Sequence, residues 1–580
     1  MESNRKRQKN YSFLLNSFTK SLSNFLRETG LHGLKFVGDS SLRIWERSFF
    51  FIAFVAAFML TCHLISNIYG KWNSTPVIIG ISPHATSIRK VPFPAITICN
   101  MNQVQRSKVQ HYKDGSSEKD LLKLLCSQDS FETEDDNGSD AIPLSTFLGD
   151  NNLQVSEFLT DHAQPCEQML RHCKLNGEEY DCVHLFRRII TDEGLCCVFN
   201  FLPPEIVYKS TSKNTRNLTS SLVNEPVPWD PETGYPLKLP KKYYPVPAIG
   251  TGITMGFSAV LDAQLSEYYC SSTNGPGFKI LFHNPTTLPN VKDEGLVVGV
   301  GYETNFRMEF SRSEATQAIR SIPQVDRQCV FQNEKNLIHH KVYSLLDCER
   351  ECITMFLYKS CDCIPHNYPQ IFSNASICSV KDAFCINRAK RPENRNETAS
   401  CRKECLPSCF DLSYQADALY FPLAKRDFKI ANKLVANMNK TYLLDNIAVM
   451  NLYYRESAYY GTMTNVYIGF TEFLSNIGGV MGLFLGFSVI SIAELIYFLI
   501  LKPIGEFITW KRGKQIDRSK PNPIVVKEQV QHVEQYNQNQ SIWHTKELYP
   551  KGIPAKTIYF NQPSSRKFLM KGQRFKTPFE

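Results

Sequence analysis

The stretch GGVMGLFLGFSVISIAELIYFLIL, Gly478 to Leu501, decides how the rest of the chain is read. It is long and apolar enough to cross a bilayer, which takes about 20 such residues. A helix that only anchors a protein gains from Leu, Ile and Val, and has no use for spaced glycines, a Gly-Phe-Ser triplet or an ionisable Glu494. Gly478, Gly482 and Gly486 recur every four residues, a spacing that lets a neighbouring helix approach closely along one face. Self-association of the span and packing against another span of the same chain both satisfy it. Gly486, Phe487 and Ser488 interrupt the helical pattern at mid-span. Glycine weakens a helix by about 1 kcal/mol relative to alanine, and non-helical backbone at membrane depth needs surrounding protein or a water-filled path. Carbonyls and hydroxyls beside such a path replace part of a cation's hydration shell.

Glu494 lies seven residues beyond Phe487 and is expected on the same helical face. A carboxylate so deep costs roughly 2.5 to 3.5 kcal/mol unless it faces a cavity or a partner. It reads as facing an aqueous path for cations; the alternative is a protonated Glu packed against His63 or a Thr. Two spans cannot enclose a path, so several copies are required.

A second apolar run, Phe49 to Ile68, can also cross a bilayer, with Thr61, Cys62, His63, Ser66 and Asn67 making its outer end polar. A cleaved signal peptide is the rival reading, but 48 residues precede the run and no small-residue cleavage site follows. Residues 1–47 hold 9 Lys and Arg against 4 Asp and Glu, and residues 502–580 hold 15 against 6, so both tails are expected in the cytoplasm. Of the 19 cysteines, all but Cys62 fall between Cys99 and Cys409, as disulfides in an oxidising compartment would. Zinc is the alternative for the pair Cys361 and Cys363, although interleaved His and Cys-x-x-Cys pairs are missing. Glycosylation sequons at Asn73, Asn137, Asn217, Asn374, Asn396 and Asn439 share that interval. The net charge of +9 is then a membrane-flanking effect and calls for no nucleic acid.

The expected organisation is a cytoplasmic segment 1–48, a first span 49–68, an extracellular cysteine-rich domain 69–472, a second span 473–501 and a largely disordered cytoplasmic tail 502–580. Within the domain, VPFPAITICN (91–100), GLVVGVGYE (295–303) and NLYYRESAYYG (451–461) have strand composition. SSEKDLLKLLCSQ (116–128) and SLLDCERECITMFLY (344–358) open with Ser and space their apolar residues as helices do. The acidic SQDSFETEDDNGSDA (127–141) reads as a solvated surface insertion rather than a cation-binding patch.

Four landmarks together resemble the degenerin and epithelial sodium channel family, most closely its insect pickpocket branch. They are His32-Gly33 before the first span, FPAITICN (93–100) after it, CLPSCF (405–410), and GFSVISIAEL (486–495) in the second span. The resemblance implies a trimer, homomeric or with related subunits, that conducts cations across the plasma membrane, prefers sodium and is blocked by amiloride. It implies two transmembrane helices and a disulfide-rich α+β extracellular domain, shaped like a hand around a β-ball, with no cofactor beyond the permeant sodium ion. Gly486, Phe487 and Ser488 match the family's filter, although Phe487 stands where a small residue is common. His32 and Gly33 match the gating motif, and Ser475 the small outer-pore residue. The resemblance pairs Cys99 with Cys196, Cys173 with Cys182, Cys329 with Cys409, Cys348 with Cys405, Cys352 with Cys401, Cys361 with Cys385, and Cys363 with Cys378. Cys348 and Cys352 are four residues apart, on one helical face, and Cys401, Cys405 and Cys409 keep that spacing. Cys126, Cys166, Cys197 and Cys270 remain, with three possible pairings. The Pro-Pro-x-Tyr stretch of epithelial subunits is missing, and KPIGEFITWKRGK (502–514) reads as a basic membrane-flanking segment.

Two other classes were weighed. A two-span scavenger receptor that binds lipid through its loop shares the topology, but would carry uninterrupted anchor helices. An ectoenzyme finds no support in H-E-x-x-H, G-x-S-x-G or a nucleophile paired with a base.

Overall fold

The computed structural model describes residues 16–126, 155–209, 225–372, 374–390, 402–423, 429 and 435–517. The first apolar run lies in a helix, Ile44–Ser74, of 31 residues. At 1.5 Å per residue it is about 46 Å long, so it outreaches a hydrocarbon core of about 30 Å. It also overruns the expected limits at both ends. Glu46 accepts the Arg43 N–H at 2.8 Å and organises the first turn, while the polar outer turns stay helical until Thr75, whose backbone is turned away from helix by Pro76.

Two residues later Val77–Ile81 begins, an edge strand paired antiparallel with Thr462–Val466. The helix Phe470–Leu485 follows almost at once. The strand leaving Ile44–Ser74 and the strand leading into Phe470–Leu485 are thus hydrogen-bonded partners, Val77 opposite Val466 and Ile81 opposite Thr462.

These strands belong to an eight-stranded sheet that continues through Tyr302–Ala315, Ile447–Tyr454, Phe257–Asp262, Leu170–Leu175 and Glu178–Tyr180, with Asp411–Pro422 also paired to Tyr302–Ala315. The 14-residue strand Tyr302–Ala315 is its spine. Its alternation buries Phe306, Met308 and Phe310, and one of its edges carries Ile447–Tyr454 and then Thr462–Val466 in succession, both parallel to it. A five-stranded antiparallel sheet, ordered Leu296–Gly299, Gly277–His283, Ala95–Asn100, Gly194–Phe199 and Phe186–Thr191, packs against the larger one. Ile96, Ile98, Phe199, Phe257, Phe278, Phe306, Met450 and Leu452 form the core between them. The smaller sheet is covered on its other face too, where Ala95, Cys99, Cys196 and Val198 make a second cluster.

The strand-like stretches fall where their composition places them. VPFPAITICN becomes a strand after its prolines, and GLVVGVGYE splits into two strands at Gly301, whose φ of 77° suits glycine. NLYYRESAYYG supplies the end of Ile447–Tyr454 and the short strand Ala458–Tyr459. The two helical patterns form Ser117–Cys126 and Leu345–Cys361, the latter capped by Ser344, whose hydroxyl accepts the Asp347 N–H at 3.1 Å. The acidic stretch 127–141 lies outside the described residues.

Disulfides join Cys99 to Cys196, Cys173 to Cys182, Cys329 to Cys409, Cys348 to Cys405, Cys361 to Cys385 and Cys363 to Cys378. Zinc at Cys361 and Cys363 is thereby ruled out. Cys352 is disulfide-bonded as well, while its expected partner Cys401 lies outside the described residues. The four cysteines left open pair as Cys126–Cys270 and Cys166–Cys197. Of the two sides of the ladder, the one that carries Cys348 and Cys352 is helical. The chain from Cys405 to Cys409 is not helical, because Pro407 cannot continue the short turn at Arg402 and Lys403. Asn73, Asn374 and Asn439 are exposed; Asn137, Asn217 and Asn396 lie outside the described residues. In the tail, Lys502–Asp517 is helical and residues 518–580 are not described.

Candidate functional site

The second apolar stretch is a broken helix. Phe470–Leu485 ends at Gly486, and a new helix starts at Val489 with its axis turned by 68°. Glu472 organises the outer end by accepting the Gly469 N–H at 3.2 Å. Gly486 ends the helix in the left-handed conformation, φ 65°, its N–H donating to the Gly482 carbonyl at 3.0 Å. Ser488 starts the inner helix, its hydroxyl accepting the Ser491 N–H at 3.3 Å, while the Ser491 hydroxyl accepts the Ser488 N–H at 3.1 Å. Directly after Ile496 the inner helix widens into a five-residue π-helical turn, Tyr497–Leu501.

One face of the outer helix lies toward Ile44–Ser74. Phe473, Ile477, Val480, Met481 and Phe484 are half-buried, and Phe473 stacks on Trp72 at 4.7 Å between ring centroids. Ser475, Gly478 and Gly479 are exposed. A Cβ added at Gly478 would meet no atom within 4 Å, and one at Gly482 only the Phe487 carbonyl oxygen at 3.9 Å. Neither glycine is therefore held in place by a side chain or backbone atom of Ile44–Ser74.

Beneath the break sits the N-terminal segment. Residues 16–28 are helical, and Ser17, Ser21 and Phe25, spaced by four, are buried along one face. Phe25, Leu31 and Phe498 form an apolar cluster joined by Leu26, Leu34, Phe487 and Leu495. The Ser21 hydroxyl donates to the Phe498 carbonyl in the π-turn at 2.7 Å. Gly33 turns the chain with φ 77°. The His32 N–H donates to the Leu485 carbonyl at 2.9 Å, and its ring lies so close that a Cβ on Gly486 would stand 2.7 Å from it. Glycine at 486 is thus required twice, by backbone conformation and by the imidazole.

Glu494 is half-buried and its Oε2 accepts the Gly30 N–H at 3.3 Å. It does not meet His63, whose ring nitrogen is instead 3.3 Å from Asn67 Nδ2. The seven-residue relation between Phe487 and Glu494 also fails, because Phe487 lies in the break and is not part of the inner helix. Ser17, Ser21 and Phe25 were missed in the sequence, although their regular spacing was a readable signal of a helix with a buried face. Among the described residues no group of three or more His, Cys, Asp and Glu side chains is placed to hold a metal ion.

A family model described as amiloride-sensitive sodium channel matches residues 25–498, from Phe25 of the N-terminal helix to Phe498 of the π-turn. The chain belongs to that family. Among its relatives in the amiloride-sensitive sodium channel family it is similar to Pickpocket protein 28 of Drosophila melanogaster, 36% identical over 494 residues that cover 83% of this chain and 79% of the relative. Sodium channel protein Nach of the same fly is 24% identical over 499 residues, covering 83% and 86%. The bile acid-sensitive ion channel of Rattus norvegicus is 22% identical over 519 residues, covering 86% and 92%. The family and these relatives are ion channels rather than enzymes, and the fold is that of a membrane channel with a disulfide-rich extracellular domain.

Proposed function

We propose that the chain is a pore-forming subunit of an amiloride-sensitive, sodium-preferring cation channel, assembled as a trimer in the plasma membrane from copies of itself or related subunits. The observation that carries this reading is the uncovered face of the broken span. Ser475, Gly478 and Gly479 are exposed there, and the helix breaks one turn beyond Gly482, at Gly486. In the proposed assembly several copies bring these faces together around an aqueous path. Gly486, Phe487 and Ser488 then form the narrow filter, Ser475 lies at the outer gate and His32-Gly33 at the inner one. Sodium passes as cargo and no bond is made or broken.

The proposed topology has residues 1–48 and 502–580 in the cytoplasm, spans at 49–68 and 473–501, and a glycosylated extracellular domain, 69–472. A sensory stimulus, chemical, osmotic or mechanical, shifts a closed-to-open equilibrium in that domain. The paired strands Val77–Ile81 and Thr462–Val466 lead directly into both spans and are the natural route for the shift.

Whole-cell current from cells expressing the chain, alone and with related subunits, tests this. Ser475→Val should give a constitutive current carried by sodium and blocked by amiloride. A silent homomer at the cell surface assigns the chain to a heteromer, whereas no cation current in any combination would overturn the proposal.

A further inference from the structure

Two carboxylates beyond the break, Glu494 and Glu506, are engaged by the N-terminal segment, and a helical defect brings them to one side. Glu494 and Glu506 are twelve residues apart. On an unbroken α-helix, at about 100° per residue, that spacing leaves them roughly 120° apart. The π-helical turn Tyr497–Leu501 lies between them. Such a turn absorbs about one extra residue, which reduces the difference to roughly 20°. On the shared side, the Ser17 hydroxyl donates to Glu506, the Ser21 hydroxyl to the Phe498 carbonyl, and the Gly30 N–H to Glu494. The apolar contacts of Phe25 and Leu31 with Phe498 and Leu495 fill the space between these bonds.

Of the three polar contacts, the one at Gly30 lies nearest the filter. Only Leu31 separates Gly30 from His32, whose N–H donates to the Leu485 carbonyl and whose ring sits against Gly486. A shift of Gly30 along the limb therefore moves the imidazole relative to the break.

We propose that Glu494 is a positioning residue for the ion path, its carboxylate seating Gly30 so that His32 stays closed against Gly486. This rests on the channel reading above and assigns Glu494 a task separate from attracting cations. Glutamine keeps an acceptor at the same place without the charge, and leucine keeps neither, so the two substitutions separate the tasks.

In the full-length channel, Glu494→Gln should lower single-channel conductance while sodium preference and open times stay near wild type. Glu494→Leu should lose roughly tenfold in sodium preference, as expected when a hydrogen bond to a charged group is removed. Gly30→Pro, which removes the N–H, should reproduce the leucine phenotype, and the double variant should be no worse than either single one. Equal damage to selectivity by Gln and Leu, or additive effects of Gly30→Pro and Glu494→Leu, would overturn the proposal. A readout without current is oxidative crosslinking of Gly30→Cys with Glu494→Cys in the full chain in membranes. A disulfide is expected; its failure to form, with both thiols open to a thiol reagent, would overturn the docking even in a channel that conducts. Absence of any cation current from wild type in all subunit combinations would instead strike the channel reading.

Discussion

The strand Ala95–Asn100 and the helix Phe470–Leu485 are both rich in apolar residues, yet one is finished within the chain and the other is not. Every residue of the strand is buried, with a hydrogen-bonded strand on either side and a disulfide to its neighbour. Of the helix only Leu485 is buried; Ser475 is exposed, and a Cβ added at Gly478 or Gly479 would meet no atom of the chain within 4 Å. The extracellular body carries its own core. The membrane limb has one face supplied by Ile44–Ser74, an inner end supplied by the N-terminal segment, and a remaining face that lipid or other copies must complete. The stability of the body and the activity of the limb should accordingly respond to different substitutions.

The largest effect is expected in the body. Breaking Cys99–Cys196 with Cys99→Ser opens a closed loop of 97 residues and should cost about 4 kcal/mol, enough to remove most protein from the cell surface in a surface-labelling assay. Gly486→Ala should do the reverse, leaving surface protein near wild type while current falls more than about tenfold. The left-handed backbone alone costs roughly 1 to 2 kcal/mol for an L-residue, and the new methyl meets the His32 ring. If Gly486→Ala instead depleted surface protein as severely as Cys99→Ser, the division between body and limb would fail.

Acid should act on the body. Burial pushes His283, His339 and His366 down from the ordinary 6.5 to about 4, helped at His339 by His340 and at His366 by Lys390. The folded chain keeps these rings neutral while the unfolded chain binds protons below about 6.5. The stability they contribute is full above that value and is lost as pH falls towards 4. Melting temperatures of the purified full-length protein should hold steady above about pH 6.5 and decline below it. A flat profile would contradict the burial of these rings.

The smallest effect sharpens the comparison most. Gly478→Ala should stabilise its own helix by up to about 1 kcal/mol, since nothing in the chain lies within 4 Å of the new methyl. If a second copy approaches this face, the same methyl weakens assembly, and native gels should show fewer oligomers without loss of folded chain.

Local patterns carried much of this structure. The apolar runs, the capped helix Leu345–Cys361 and the break at Gly486-Phe487-Ser488 are written in consecutive residues, because hydropathy, capping and glycine conformation act over a few positions. What depends on distant approach was less legible. The pairings Cys126–Cys270 and Cys166–Cys197 are set by how sheets and helices meet, and spacing alone left three choices. The heptad from Phe487 to Glu494 failed because counting along a helix presumes that it is unbroken. Glu494 looked unpartnered since its donor, Gly30, is 464 positions away and offers only a backbone N–H, which no side-chain inventory records. Pro407, in contrast, was visible in the sequence, and it explains why the four-residue spacing of Cys405 and Cys409 does not continue the short helical turn at Arg402 and Lys403.

The central claim is that the uncovered face of the broken span lines the ion path. Cysteine accessibility tests it most directly: single substitutions Ser475→Cys, Gly479→Cys and Phe473→Cys in a conducting channel, each exposed to a charged thiol reagent from outside. Rapid loss of current at Ser475 and Gly479, with Phe473 protected against Trp72, is the predicted result. Loss of current at Phe473 with Ser475 and Gly479 unaffected would place the path on the opposite face and contradict the account.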